Sequence, residues 1–150
     1  MITRTAKVCF AAVGWLENEV YPGMPELLDR LCQAGKTMMV ATSKPEVFAR
    51  KILDHFQLAA YFSFVGGATL DGLRSTKEEV IDYVLKTNEV VSLSEVIMVG
   101  DRKFDILGAK HAGVSSVGCV YGYGSREELE TAGADYVVDS IGELQNLLLP

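Results

Sequence analysis

Cysteine is scarce in this 150-residue sequence, and Cys9, Cys32 and Cys119 are scattered along it. They form neither a metal-binding spacing nor an even disulfide framework, which favours a reducing, cytoplasmic setting. No run of about 18 apolar residues is present, so we expect no transmembrane helix. Basic residues are also in the minority, with 14 Lys and Arg against 20 Asp and Glu. The resulting net charge of −6 argues against binding to nucleic acid or to an anionic membrane.

Aspartate is missing from the start of the chain, since none precedes Asp29, and no Asp-x-Asp sequence occurs anywhere. No Gly-x-Gly-x-x-Gly follows an apolar run, which argues against a dinucleotide-binding Rossmann domain. The remaining composition, 49% hydrophobic and 23% charged, is typical of a soluble globular protein. We expect a single domain over residues 1–150, because a chain of this length can bury one core.

A recurring pattern predicts the fold class. Three amphipathic segments each end in Ala-Gly and are followed closely by an apolar run, at Ala34-Gly35, Ala112-Gly113 and Ala132-Gly133. A glycine closes a helix in the left-handed conformation, and a nearly continuous apolar run is typical of a parallel strand covered on both faces. The alternation predicts a three-layer, Rossmann-like α/β fold with a mainly parallel sheet. Ligands of such sheets bind beyond the carboxyl ends of the strands.

Periodicity and helix-start signals predict individual elements. Pro45 should open a helix that buries Phe48 and Leu53. A helix from about Thr76 to Lys86 should be capped by Ser75 together with Glu78. Two further capping boxes pair Ser125 with Glu128 and Ser140 with Glu143, and two further strands are predicted at Tyr61 to Val65 and at Glu95 to Val99.

Polar residues follow the predicted strands on the ligand side of the sheet. Thr42 and Ser43 come after one apolar run, Asp101 and Asp105 come after another, and Lys77 lies in the first turn of a helix between them. Each has an ordinary structural interpretation as a helix cap or a solvated side chain. Taken together, a hydroxyl and an ammonium can bind phosphoryl oxygens, and two carboxylates suit Mg²⁺.

The ordered set of motifs resembles the haloacid dehalogenase superfamily, and within it the phosphoglycolate-phosphatase-like group. Val40 to Pro45 is similar to the family's second motif, Lys77 to the lysine of the third, and Met98 to Asp105 to the fourth. The resemblance implies Mg²⁺-dependent hydrolysis of a small phosphorylated metabolite. It implies catalytic roles for Lys77 and Thr42, phosphate binding by Thr42, Ser43 and Lys77, and metal binding by Asp101 and Asp105.

The chain departs from this family at the first motif, Asp-x-Asp-x-Thr, whose first aspartate attacks phosphorus and whose second acts as acid and base. Neither aspartate is present, and the family's helical cap is missing too, as expected for a truncated gene product. In one alignment, Gly14 to Gly23 is the tail of the missing cap. In the other, Lys7 to Gly14 takes the place of the first strand, with Ala11 and Val13 replacing both carboxylates. Residues 1–22 are therefore either a cap remnant or a substitute strand.

The missing nucleophile leaves two functions open. One is a phosphatase-like protein whose own activity is impaired, and the other is a non-catalytic phosphate-binding, metal-binding or regulatory protein on the same fold. A signalling receiver domain is disfavoured, because its acidic pair precedes its Thr and Lys in the chain. The face that a cap would cover also suggests possible self-association.

Overall fold

The computed structural model describes the backbone of residues 7–10 and the whole of residues 20–149. The predictions made for Ala11, for Val13 and for most of Gly14 to Gly23 lie outside this part of the chain. The strands are β1 Lys7–Phe10, β2 Met38–Pro45, β3 Phe64–Ala68, β4 Val96–Gly100, β5 Ser115–Cys119 and β6 Tyr136–Val138. The helices are α1 Met24–Gln33, α2 Glu46–His55, α3 Lys77–Thr87, α4 Lys103–Ala112, α5 Arg126–Ala132 and α6 Ile141–Leu148.

The six strands form one parallel sheet in the order β3-β2-β1-β4-β5-β6. The short strand β1 occupies a central position, where Phe10 pairs with Val40 of β2 and with Val99 of β4. The chain winds towards one edge from β1 to β3 and towards the other edge from β4 to β6. The reversal falls between β1 and β4, and sheets of this type bind ligands at such a point.

Helices cover both faces of the sheet, as the apolar strands predict. One core packs α1, α2 and α6 against inward-facing strand residues such as Val40 and Val99. The opposite core packs α3 and α4 against Ala41 and Met98, and α5 adds a smaller cluster around Leu129. Successive residues of β2 alternate between the two cores, as a fully covered strand requires. The predicted three-layer α/β fold is therefore confirmed.

The Ala-Gly signals mark helix ends as predicted. Gly35, Gly113 and Gly133 have φ values of 76°, 77° and 89°, a left-handed conformation that glycine adopts without steric cost. Each is followed closely by a strand. Among the residues that the structure describes, no helix combines the length and the apolar character that crossing a membrane would need.

Several local predictions were displaced by one to three residues. Strand β3 begins at Phe64, because Ala59–Tyr61 forms a 3₁₀ turn. Phe48 is half exposed rather than buried, and Ala49 takes the buried position on α2. The capping box of α3 pairs Thr76 with Glu79, one residue later than predicted.

The caps of the last two helices are confirmed only in part. Ser125 Oγ and Ser140 Oγ each accept a hydrogen bond from the backbone N–H three residues on. The Glu143 carboxylate accepts from the N–H of Asp139 rather than from Ser140. The Glu128 carboxylate accepts a hydrogen bond from the Lys103 N–H of α4 rather than from Ser125.

We expect Thr76→Ala to lower the free energy of unfolding by about 1 kcal/mol, because it removes the hydroxyl that caps α3. Ser75→Ala is the matched control, since Ser75 contributes only its backbone N–H to the Glu79 carboxylate. That control should stay within about 0.5 kcal/mol of the parent protein. Urea denaturation measures both variants, and equal effects would contradict the assignment of the cap.

Candidate functional site

Four of the five predicted site residues are buried polar groups near the carboxyl edge of the sheet. Thr42 lies on β2, Lys77 begins α3, Asp101 follows β4 and Asp105 lies in the first turn of α4. Their exposed fractions are only 3%, 8%, 6% and 3%, so the interpretation of Lys77 and Asp105 as solvated side chains is wrong. Ser43, the fifth, also lies on β2 but is exposed.

A buried ion pair joins α3 to α4. Lys77 Nζ lies 2.9 Å from Asp105 Oδ1 and donates a hydrogen bond of 3.2 Å to the carbonyl oxygen of Ala41. Asp105 Oδ2 accepts from the backbone N–H groups of Asp101 and Arg102, each at 3.1 Å. The Lys77 ammonium thus connects the ends of β2 and β4 through Ala41 and Asp105.

Two glycines permit this close approach. A Cβ at Gly108 of α4 would lie 3.0 Å from Lys77 Cγ and 2.7 Å from Ile81 Cδ1, so α3 could not pack as closely on α4. A Cβ at Gly100, directly before Asp101, would collide with the Asp105 carboxyl group. The Gly-Asp sequence at the end of β4 therefore leaves room for the second carboxylate.

Thr42 lies in a bulge of β2. Ala41 pairs with Gly66 and Pro45 pairs with Ala68, so Thr42, Ser43 and Lys44 stand opposite a single residue of β3. That residue is Gly67, where a Cβ would lie 2.7 Å from the Lys44 carbonyl oxygen. Bulges of this kind re-aim side chains and are frequent beside active sites.

The Thr42 hydroxyl stabilises this bulge, since its Oγ1 accepts a hydrogen bond of 3.2 Å from the backbone N–H of Lys44. A hydroxyl that accepts one hydrogen bond retains its own hydrogen as a donor. Thr42 can therefore stabilise the end of β2 and still donate to a ligand oxygen.

Asp101 is held by the loop that follows β5. The Tyr123 N–H donates to Asp101 Oδ2 at 2.9 Å, and the Gly124 N–H donates to the Asp101 carbonyl at 2.8 Å. Burial raises the pKa of the Asp101 carboxyl, and the nearby Asp105 charge raises it further, while the Tyr123 N–H and Lys77 lower it. The positive groups around Asp101 therefore compensate its charge incompletely.

Glu128 fixes the start of α4 from outside. Its Oε1 accepts from Arg102 Nε and from the Lys103 N–H, each at 2.9 Å. These hydrogen bonds, together with the positive charge of Arg102, lower the pKa of the Glu128 carboxyl, so it is ionised at neutral pH. The sequence pattern assigned Glu128 to a capping box with Ser125, whereas its carboxylate joins α5 to α4.

The donor set fits a hard divalent cation that is held only in part by the protein. Asp101 offers a buried carboxylate whose charge is compensated only in part, and a cation would balance the remainder. Asp105 is already committed to Lys77 and to two backbone N–H groups. No cluster of three or more His, Cys, Asp or Glu side chains suited to a metal occurs among residues 20–149. A bound Mg²⁺ would therefore complete its coordination with water and ligand phosphate.

Cys119, at the end of β5, is a poor candidate nucleophile. Burial raises the pKa of its thiol to about 12, so the thiol stays protonated at neutral pH. The attacking species in cysteine chemistry is the thiolate. Cys119 therefore contributes to the core rather than to catalysis.

A separate cavity of about 400 Å³ lies beyond the end of β3. It is lined by the first turns of α2 and by the loop after β3, with Glu46, Arg50 and Asp71 as its charged residues. None of the five predicted site residues lines it. Asp71 therefore lines this cavity and is not one of the residues gathered at the carboxyl edge of the sheet.

The contacts of Asp101 with Tyr123 and Gly124 were not predicted from sequence. The available signal was a pair of glycines around one residue, Gly122-Tyr123-Gly124, between a strand and a helix cap. Backbone donors carry no side-chain signature, so the glycines alone could have indicated a close approach.

We expect Lys77→Met to destabilise the fold by about 3–5 kcal/mol, because it leaves the Asp105 charge buried and unpaired. The double variant Lys77→Met/Asp105→Asn should be more stable than the sum of its single variants implies, by about 1–3 kcal/mol. Denaturant unfolding of the parent protein, the two single variants and the double variant measures this coupling free energy.

The exposed pair Arg126–Glu130 provides the control cycle, and its coupling should be much smaller than that of the buried pair because solvent screens it. Additive effects of Lys77→Met and Asp105→Asn would contradict a direct buried interaction.

Comparisons with known proteins agree with this architecture. Residues 11–119 match the family described as haloacid dehalogenase-like hydrolase. The chain is 41% identical over 139 residues to a 5'-nucleotidase of Pseudomonas aeruginosa, covering 93% of this chain and 62% of that protein. It is 37% identical over 135 residues to a phosphoglycolate phosphatase of Vibrio parahaemolyticus, covering 90% and 59%.

A solved structure resembles the fold closely. The crystal structure of a predicted phosphatase from Clostridium acetobutylicum superposes with a TM-score of 0.85 at 46% identity, covering 87% of this chain and 60% of that one. The chain thus spans about three fifths of the length of these relatives. The match over residues 11–119 extends across most of the sequence. The chain therefore belongs to the haloacid dehalogenase-like hydrolase family.

Proposed function

We propose that this chain binds the phosphate group of a small phosphorylated metabolite together with Mg²⁺, and that it hydrolyses phosphate monoesters poorly or not at all. Thr42, Ser43 and Lys77 would hold phosphoryl oxygens, and Asp101 would hold the cation. Asp105 would orient Lys77. The names of the relatives, a 5'-nucleotidase and a phosphoglycolate phosphatase, support phosphorylated metabolites as the ligand class.

The position of β1 is the observation that carries this proposal. Phe10 is paired between Val40 and Val99, and these two residues lie two positions before Thr42 and Asp101. The next residue in the chain after Phe10 is Ala11. In the family motif, the attacking aspartate stands at the end of this central strand. A methyl side chain cannot attack phosphorus, and the other proposed site groups only position and stabilise.

The chemistry that remains is electrostatic. A bound Mg²⁺ would neutralise phosphate charge and polarise the phosphoryl group. The Lys77 ammonium and the Thr42 hydroxyl, both buried, would donate hydrogen bonds to phosphoryl oxygens, and such bonds are stronger in a low-dielectric setting than in bulk water. These groups favour a bound phosphate whether or not the ester is cleaved. A binding or regulatory protein on this fold is therefore the second candidate, supported by the same arrangement.

We expect hydrolysis of an aryl phosphate with Mg²⁺ to stay near the buffer rate for the parent protein. Ala11→Asp/Val13→Asp restores both carboxylates of the first motif and should raise turnover by about a hundredfold or more. Ala11→Asn/Val13→Asn is the matched control, since it has nearly the same shape without the charge or nucleophile. Adding Asp101→Asn to the Asp variant should remove the gain.

The contrary result would be robust turnover by the parent protein that Asp101→Asn abolishes. It would mean that a nucleophile other than the first-motif aspartate acts in this chain. Circular dichroism of each variant separates loss of activity from loss of fold.

A further inference from the structure

The loop between β5 and α5 contacts Asp101 at two points. The Tyr123 N–H donates to the carboxylate Oδ2 at 2.9 Å, and the Gly124 N–H donates to the main-chain carbonyl at 2.8 Å. The same three-residue segment, Gly122–Gly124, thus binds both the side chain and the backbone of Asp101. The Gly124 hydrogen bond holds the backbone of Asp101, and the Tyr123 hydrogen bond holds its carboxylate, so one short segment fixes both.

The glycines of this segment are required by close approach rather than by backbone conformation. Neither Gly122 nor Gly124 has a positive φ, unlike Gly113 and Gly133. A Cβ at Gly122 would collide with the Asp101 carboxyl group, and a Cβ at Gly124 would collide with its carbonyl oxygen. Any side chain at either position would therefore push the loop away from Asp101.

The Tyr123 N–H stabilises the charge of Asp101, a buried acid that lies beside a second acid. Asp101 is 6% exposed and Asp105 lies four residues on, with its own backbone donors. The Tyr123 N–H provides a fixed positive dipole that offsets part of the repulsion and commits Oδ2. Oδ1 is then the oxygen best placed to bind a cation.

We propose that Gly122–Gly124 is a positioning element that orients the Asp101 carboxylate towards a divalent cation, through the Tyr123 N–H and the absence of side chains at its two glycines. This inference rests on the proposed function, in which Asp101 binds Mg²⁺. In this proposal the loop does not itself contact the cation.

The test is Mg²⁺ affinity, measured by calorimetry on the full chain. Gly122→Ala displaces the loop and Tyr123→Pro removes the donor N–H, and each should weaken Mg²⁺ binding by about tenfold. Tyr123→Ala keeps the N–H and should bind about tenfold more tightly than Tyr123→Pro. Tyr123 is 64% exposed, so the loss of its side chain changes little packing.

Two glycine controls separate positioning from general destabilisation. Gly118→Ala on β5 would press on Leu129 at 3.0 Å without touching Asp101, so it should lower stability and leave Mg²⁺ affinity unchanged. In Gly142→Ala on α6, the new Cβ meets only Ser140 Oγ, at 3.7 Å in ordinary contact range, so it should leave Mg²⁺ affinity unchanged and should not lower stability. In NMR spectra, Mg²⁺ should shift the Tyr123 amide resonance of the parent protein but not of Asp101→Asn.

The outcomes are distinguishable. Equal Mg²⁺ affinity of the parent protein and Asp101→Asn would overturn the proposed metal site itself. A second outcome would overturn the positioning role alone. In that case the parent protein binds Mg²⁺ tightly, Asp101→Asn loses the binding, and folded Gly122→Ala binds Mg²⁺ as tightly as the parent. If Tyr123→Pro does not fold, the comparison of Gly122→Ala with Gly118→Ala decides the question.

Discussion

The buried ion pair between Lys77 and Asp105 is the interaction on which the arrangement of the site depends. It joins α3 to α4, two helices that begin after different strands. The hydrogen bond from Lys77 to the Ala41 carbonyl also connects this pair to β2. A lysine in the first turn of a helix opposes the helix dipole, so the local preference of α3 does not favour it. The carboxylate on α4 and the Ala41 carbonyl compensate that cost. They also fix the ammonium at the carboxyl edge of the sheet.

The described contacts that position Thr42 and Asp101 come from parts of the chain other than β1. Thr42 is fixed by the bulge opposite Gly67, and Asp101 by the loop after β5. Neither contact uses a carboxylate on the central strand. The proposed anion and cation site would therefore not depend on the first-motif aspartates for its positioning. Binding and bond cleavage place separate demands on this fold, and only cleavage requires the nucleophile.

Much of the fold was predictable because its signals are local. Ala-Gly endings and apolar runs gave the helix–strand alternation, and Gly35, Gly113 and Gly133 adopt the expected conformation. The ends of helices were less predictable where two adjacent residues could each serve as the cap. Ser75 and Thr76 both resemble a helix cap, and only the direction of the chain at the start of α3 selects Thr76. Phe48 follows the helical period yet remains half exposed, because α2 buries Ala49 instead.

The sequence predicted the polar side chains of the candidate site but not the groups that hold them in place. Thr42, Lys77, Asp101 and Asp105 stand at the ends of apolar runs or at helix starts, so sequence position alone indicated a common edge. Their partners are mainly backbone groups: the Ala41 carbonyl, the N–H groups of Arg102 and Tyr123, and the spaces left by glycines. Such contacts depend on how strands and loops meet in three dimensions, and no residue type marks a backbone donor.

The most direct test of the account is an NMR titration of the ¹⁵N-labelled protein with inorganic phosphate in the presence of Mg²⁺. Binding at the carboxyl edge predicts saturable shifts concentrated at the amides of residues 42–44, Lys77 and residues 101–102. Asp101→Asn and Lys77→Met should weaken those shifts. Shifts confined to the cavity around Glu46 and Asp71, or no saturable shifts at all, would contradict the claim that this edge is a phosphate and magnesium site.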